Sequence, residues 1–158
     1  MSKNDIDLSV FCMSARGLIS QGKIEDAIGI YSDVIQIDPE NSLAYADRGT
    51  AYAMMKNFDL AIIDLKRAFS LGYADVSEYS TMATIYSEKK QLQNALEYFA
   101  KAIELNKNYP LTYYNRSNVF YEIGDHESAI SDLNKCLEFK SDENFRELVI
   151  RRLNMLSA

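Results

Sequence analysis

Four alanines, Ala27, Ala61, Ala95 and Ala129, follow one another at intervals of 34 residues with no insertion between them. A fixed interval of that length marks a chain built by repeating one supersecondary unit, and it limits the fold more than composition does. Other positions keep the same phase. Phe11, Tyr45, Tyr79 and Tyr113 form an aromatic series, and Ala15, Gly49, Ala83 and Ser117 a series of small residues. Leu18, Tyr52, Tyr86 and Phe120 are large and apolar, as are Tyr31, Leu65, Phe99 and Leu133. Val34, Ala68, Ala102 and Cys136 are again small, and Ile37, Leu71, Leu105 and Phe139 close the unit.

Within each unit the spacing is helical. Phe11, Ala15 and Leu18 stand at i, i+4 and i+7, one face of an α-helix, and Ala27, Tyr31, Val34 and Ile37 do the same on a second. Short breakers separate the two: Gln21-Gly22-Lys23, Lys56-Asn57, Lys89-Lys90-Gln91 and Gly124-Asp125, where Asp125 can cap the following helix. The pattern predicts four hairpins of two helices each, with repeats at about 8–41, 42–75, 76–109 and 110–143. Small residues let two helices cross closely, and the aromatic series supplies bulk beside the crossing. One hairpin cannot bury its apolar face alone, so neighbours must stack. The fold class expected is an all-α solenoid of antiparallel hairpins with about nine helices, forming a single domain over 8–158 behind a frayed segment at 1–7.

The ninth helix is expected over about 142–156. Phe145, Leu148, Val149, Ile150, Leu153 and Leu156 give it an apolar side, and Arg146, Arg151 and Arg152 follow acids at its start, which suits the helix dipole. A terminal repeat needs cover for its open core face, and this segment is read as that cover. A docking helix for a partner is the alternative, and homodimerisation through it stays open.

This arrangement of small and aromatic residues resembles the tetratricopeptide repeat family. Tyr45–Gly49–Tyr52–Ala61–Ala68 and Tyr79–Ala83–Tyr86–Ala95–Phe99–Ala102 carry the resemblance most fully, and it covers residues 8–143. The family's proline near the end of the second helix survives only as Pro39, with Tyr73, Lys107 and Ser141 in its place elsewhere. Its usual first tryptophan is missing, and His126 stands where the other units have Ile24, Phe58 and Leu92. The resemblance implies a superhelix whose first helices line a concave groove that holds a segment of another protein. Carried onto this chain, that lining is Met13, Arg16, Asp47, Thr50, Met54, Ser80, Thr81, Thr84, Ser87, Glu88, Tyr114, Asn115, Asn118, Tyr121 and Glu122, with Cys12 a further candidate. Tyr and Asn suit contact, since they combine rigid area with donors and acceptors. Asp47, Glu88 and Glu122 outnumber Arg16, which favours a neutral or basic partner. Some members clamp a chaperone's terminal carboxylate with Lys, Asn and Arg. The corresponding slots hold Cys12, Arg16, Asp47, Ser77 and Thr81, or Ala46, Thr50, Thr81, Leu111 and Asn115, so no such clamp is expected.

The rest of the sequence narrows function further. The net charge of −6 argues against nucleic acid, which needs clustered Lys and Arg, and against docking on an anionic membrane. No run approaches the roughly 18 apolar residues of a membrane span, and no signal-peptide core follows Met1. A cytoplasmic location is expected. Gly17-x4-Gly22-Lys23 is close to a phosphate-binding loop, but Ile24 replaces the metal-binding hydroxyl and the segment joins two helices, where that loop joins a strand to a helix. The single histidine, His126, sits in a polar turn, and Cys12 and Cys136 are too far apart in the array for a disulfide. No enzyme activity, metal or cofactor is expected. The chain reads as a protein-binding adaptor or scaffold. The alternative is a dedicated inhibitor, immunity protein or secretion chaperone of a single partner, to which acidity would lend association rate.

Overall fold

A computed structural model describes residues 7–156, and among them the backbone forms nine α-helices and no strand. They are α1 (Leu8–Ser20), α2 (Ile24–Ile37), α3 (Ser42–Met54), α4 (Phe58–Ser70), α5 (Val76–Glu88), α6 (Leu92–Leu105), α7 (Pro110–Ile123), α8 (His126–Glu138) and α9 (Glu143–Leu156). The fold is an all-α solenoid of helical hairpins. No helix among the described residues is long and apolar enough to cross a membrane. Of the segment expected to fray, residues 1–6 lie outside the described residues. Asp7 caps α1 by accepting hydrogen bonds from the Ser9 N–H and hydroxyl.

All four hairpins turn by one device. The N–H of Lys23, Asn57, Gln91 and Asp125 each donates to the carbonyl five residues back, on Leu18, Tyr52, Tyr86 and Phe120. One residue earlier, Gly22, Lys56, Lys90 and Gly124 have φ of 78°, 60°, 60° and 91°, and each N–H bonds the carbonyl three residues before it. This paired pattern satisfies carbonyls that a helix end leaves open, and it needs a left-handed residue. Glycine adopts that conformation freely, whereas a side chain pays a steric cost. Hairpins two and three place a lysine there. After the last turn, the Asp125 carboxylate accepts from the Ser128 N–H and caps α8.

The chain divides into two compact units, one ending at Ala74 and one beginning at Asp75. In the first, α1 pairs with α2 and α3 with α4, and α3 packs on α2 and α1. Its core gathers Cys12, Ala15, Ala27, Tyr31, Val34 and Ala44, followed by Ala61, Leu65 and Ala68, all essentially without exposed surface. Gly49 marks the closest crossing. A Cβ there would stand 2.9 Å from Leu65 Cγ and 3.2 Å from the Ala61 carbonyl oxygen. In the second unit α5 pairs with α6 and α7 with α8, α7 packs on α6 and α5, and α9 lies on α8. Ala83, Ala95, Phe99 and Ala102 fill one part of its core. Tyr113, Leu133, Cys136 and Val149 fill another, joined by Phe145, Leu153 and Leu156 from α9.

Two repeat series behave differently from the rest. Ile37 and Leu105 are exposed, although Leu71 and Phe139 at the same phase are half-buried. Helices α2 and α6 run through position 37 or 105, so those side chains leave with the last helical turn. Helices α4 and α8 stop one residue short. There the equivalent residue follows the backbone back to the core, and Phe139 lies 5.9 Å from the Tyr113 ring. Phe11 is also exposed, unlike Tyr113 at its phase.

Even-numbered hairpins carry an ion pair that the others lack. Arg48 holds Asp64 through two hydrogen bonds of 2.7 and 2.9 Å, and Arg116 holds Asp132 through two of 2.8 and 2.7 Å. Both carboxylates are buried. Each guanidinium also lies near two ring faces, Tyr45 and Tyr52 for Arg48, Tyr113 and Phe120 for Arg116. The third hairpin places Met82 and Tyr98 at these positions.

Two variants check this account. Gly49→Ala should cost about 1–3 kcal/mol of stability, since Leu65 and the Ala61 carbonyl must move to admit the methyl. Lys56→Gly should raise stability by about 0.5–1 kcal/mol, the relief of left-handed strain exceeding the added freedom of the unfolded chain. Urea denaturation midpoints measure both.

Candidate functional site

The first helix of each hairpin repeats three inner positions at i, i+3 and i+7. They hold Met13, Arg16 and Ser20 in α1, Asp47, Thr50 and Met54 in α3, Thr81, Thr84 and Glu88 in α5, and Asn115, Asn118 and Glu122 in α7. Neighbouring first helices lie side by side within each unit, so these positions face common ground there.

In the first unit the ground is closed by an ion pair. The Arg16 guanidinium donates from Nε and Nη2 to the two oxygens of Asp47, at 2.9 and 3.1 Å. Planar, bidentate geometry of this kind fixes both side chains. Burial pushes the Asp47 carboxyl above the usual range, and hydrogen bonding to Arg16 pulls against that rise. Tyr31 is wholly buried beside the pair, and its phenol is pushed up by burial first and by the Asp47 carboxylate second. Cys12 belongs to the core at 2% exposure, so it does not offer its thiol to the groove. Met13 and Met54 are exposed, and Thr50 is half-buried with its hydroxyl unpaired among the described residues.

The second unit has an open cleft of about 230 Å³. Thr84, Ser87 and Glu88 of α5 form one wall, Asn115 and Asn118 of α7 the other, and buried Phe99 of α6 contributes a further contact. Thr84 donates its hydroxyl to the Ser80 carbonyl at 2.9 Å, and the Ser80 hydroxyl meets Thr112 at 3.3 Å. The side-chain amides of Asn115 and Asn118 have no hydrogen-bond partner among the described residues. Each therefore presents a donor and an acceptor at fixed separation, the complement of a peptide group. Thr81 lies half-buried on the same helix as Thr84.

The remaining residues of the expected lining are engaged inside the chain. The Lys90 ammonium pairs with the Glu122 carboxylate, so Glu122 is not a free charge. The edge of the Tyr114 ring meets Phe145 of α9 at 5.7 Å between centroids. Tyr121 lies under the Arg152 guanidinium, 4.4 Å from ring centre, and 5.4 Å from the exposed His126 ring. Of the three carboxylates expected to bias the groove, Asp47 and Glu122 are thus paired, which leaves Glu88 at the rim of the cleft. No group of three or more His, Cys, Asp or Glu among the described residues is placed to hold a metal ion.

Phe99 and Lys90 entered this site without notice in the sequence. Phe99 belongs to the core series by phase, and only the shape of the cleft brings it near the surface. Lys90 sits in a turn, and its partner lies 32 residues away on another helix.

Comparison with known proteins follows the same division. Two tetratricopeptide repeat models match the chain, one over residues 12–72 and one over residues 76–142. Tetratricopeptide repeat protein 6 of Homo sapiens is 30% identical over 129 residues, which cover 81% of this chain and 24% of that protein. Tetratricopeptide repeat protein 13 of Homo sapiens is 28% identical over 80% of this chain and 15% of its own length. The chain therefore spans about a quarter or less of these relatives. Among solved structures, YrrB, described as a TPR protein with an unusual peptide-binding site, aligns with a TM-score of 0.73 at 22% identity, covering 85% of this chain and 70% of that one. The Cut9–Hcn1 hetero-tetramer of the APC/C aligns with a TM-score of 0.79 at 18% identity, covering 94% of this chain and 29% of that one. At these identities the structures speak to fold alone.

The two kinds of α7 residue should separate by experiment. Tyr114→Ala removes an aromatic contact worth about 0.5–1.5 kcal/mol and should speed amide exchange over residues 143–156 by up to about tenfold. Asn115→Ala, at a residue that lines the cleft between α5 and α7, should leave that exchange unchanged.

Proposed function

The chain belongs to the tetratricopeptide repeat family, and from that premise we propose that it is a protein-interaction module whose second unit holds an extended segment of a partner protein in the α5–α7 cleft. The observation that carries the reading is the pair of half-buried, unpaired amides of Asn115 and Asn118 facing Thr84 and Ser87. These amides are open to solvent at the cleft, and a partner's backbone would exchange their water for direct hydrogen bonds of fixed geometry. Because the cleft is made of amides and hydroxyls with one carboxylate, Glu88, it favours a neutral or weakly basic segment. It offers no lysine or arginine to a terminal carboxylate, so the reading excludes a carboxylate clamp.

In the first unit, the exposed Met13 and Met54 near the Arg16–Asp47 pair add an adaptable apolar contact of the kind that thioethers provide. The module acts by binding, with no catalytic step assigned to it and no cofactor. Residues 8–158 are taken as one domain located in the cytoplasm. A dedicated inhibitor of a strongly basic protein draws less support, because Asp47 and Glu122 already have cationic partners within the chain.

The probe is a random peptide library displayed on phage and selected against the full chain. Selected peptides should lose about tenfold to a hundredfold in affinity for the Asn115→Ala/Asn118→Ala variant, the effect of two to four lost hydrogen bonds. Its melting temperature should stay at the wild-type value. Peptides that bind both proteins equally would rule the cleft out.

A further inference from the structure

Helix α4 departs from the other second helices at positions outside the core. On each second helix, three residues at i, i+3 and i+7 form one stripe. They are Asp26, Gly29 and Asp33 in α2, Asn94, Glu97 and Lys101 in α6, and Ser128, Ser131 and Lys135 in α8. In α4 the stripe is Leu60, Ile63 and Arg67, with Leu60 47% and Ile63 62% exposed. Stacking within a unit does not cover this stripe. Asp26 and Gly29 stay exposed although α2 packs on α3, and Glu97 stays exposed although α6 packs on α7. The apolar pair of α4 thus stands where the other hairpins place polar or small residues.

The charge around the pair is positive. Lys66 adjoins Arg67, and both are exposed. At the other end, Lys56 and Leu60 share the wall of a hollow of about 300 Å³ with Asn57, Phe58 and Asp59. Lys56, Lys66 and Arg67 have no carboxylate partner among the described residues, whereas Asp59 is already engaged and Asp64 is held by Arg48. Arg67 lies over the Tyr45 ring, 5.9 Å from its centroid, which orients the guanidinium without neutralising it. A chain of net charge −6 therefore carries an exposed apolar pair bracketed by open cations.

We propose that the outer stripe of α4 docks an acidic amphipathic segment of another protein, whose apolar side chains cover Leu60 and Ile63 and whose carboxylates meet Lys56 at one end and Lys66 and Arg67 at the other. Charge complementarity selects this occupant. A carboxylate brought beside an apolar contact is partly shielded from water, so its attraction to a lysine or arginine is stronger there than in open solvent. The hollow beside Leu60 and Phe58 gives one apolar side chain of the partner a place to enter. An anionic bilayer fits less well, because the apolar contact is two residues long and the acidic remainder of the chain is repelled by such a surface. The stripe lies in the first unit and the α5–α7 cleft in the second, so this inference stands apart from the cleft reading.

The test sorts peptides, selected from a random phage library against the full chain, by the variant that they fail to bind. One class should bind Leu60→Gln/Ile63→Gln about tenfold more weakly than the wild type, yet keep full affinity for Asn115→Ala/Asn118→Ala. Its members should be rich in Asp and Glu around two or more large apolar residues, and their affinity should fall as salt rises. Charge reversal in Lys56→Glu/Lys66→Glu should weaken the same peptides by about tenfold or more. The changed side chains are exposed, so both variants should melt as the wild type does. If the double glutamine variant melts early, Ile63→Gln alone serves and should weaken these peptides about threefold. The proposal is overturned if no class depends on Leu60 and Ile63, or if the dependent class is neutral or basic. Loss of the same peptides in Asn115→Ala/Asn118→Ala would place them in the cleft and remove the separate site. Wild-type binding to vesicles of phosphatidylserine and phosphatidylcholine, lost in Lys56→Glu/Lys66→Glu, would assign the stripe to a membrane. Concentration-dependent dimerisation, lost in Leu60→Gln/Ile63→Gln, would assign it to a second copy. Either outcome overturns an acidic protein partner.

Discussion

Two helices can approach only as closely as the side chains between them allow, and in every hairpin of this chain that space is held by small residues. Ala27, Ala61, Ala95 and Ala129 have no exposed surface, and Ala15, Gly49, Ala83 and Ser117 oppose them from the first helices. At Gly49 the tolerance is smaller than a methyl group. Close crossing has two consequences. Tyr31, Leu65, Phe99 and Leu133 are the largest fully buried side chains of their hairpins. The connection must also be tight, and a left-handed residue at 22, 56, 90 and 124 supplies the turn. Two of those positions hold lysine, so the geometry of the crossing prevails over the preference of a single residue.

Features that repeat with the chain were readable in the sequence, because a periodic pattern records the same packing several times. Hairpin number, helix phase, the breakers and the apolar side of α9 all followed from residue type at fixed spacing. Ile37 and Leu105 show where that logic stops. Their phase is that of the half-buried Leu71 and Phe139, but burial there depends on whether the helix ends one residue earlier, which hydrophobicity does not encode. The Arg48–Asp64 and Arg116–Asp132 pairs recur 68 residues apart, a signal that a search at 34 residues dilutes, since the third hairpin substitutes Met82 and Tyr98. A buried pair and an apolar pair can fill equivalent space at similar net stability, because the attraction between the charges is largely offset by their desolvation.

Charge was the least legible property of the inner surface. Counting residues along first helices treats each carboxylate as available to a partner. In the folded units Asp47 meets Arg16 and Glu122 meets Lys90, and each pair joins residues 31 or 32 apart in sequence. Such pairs fix neighbouring hairpins in register while removing net charge from the surface that partners approach. The exposed Lys90–Glu122 pair adds little to stability, and its effect is on what the surface presents.

Helix α7 brings these threads together, because nearly every side of it is committed. Tyr113, Ser117 and Val119 serve the core, Arg116 the buried Asp132, Glu122 the turn lysine, and Tyr114 and Tyr121 the C-terminal helix. What has no hydrogen-bond partner among the described residues is the pair of amides on Asn115 and Asn118, and amides recognise a peptide backbone without regard to its charge. A surface built this way discriminates by the path and spacing of a partner's main chain, with side-chain preference left to its neighbours. It follows that the acidity of the whole chain, which suggests a basic partner, is a weaker guide to what binds than the few polar groups that the fold leaves open to solvent without a partner among the described residues.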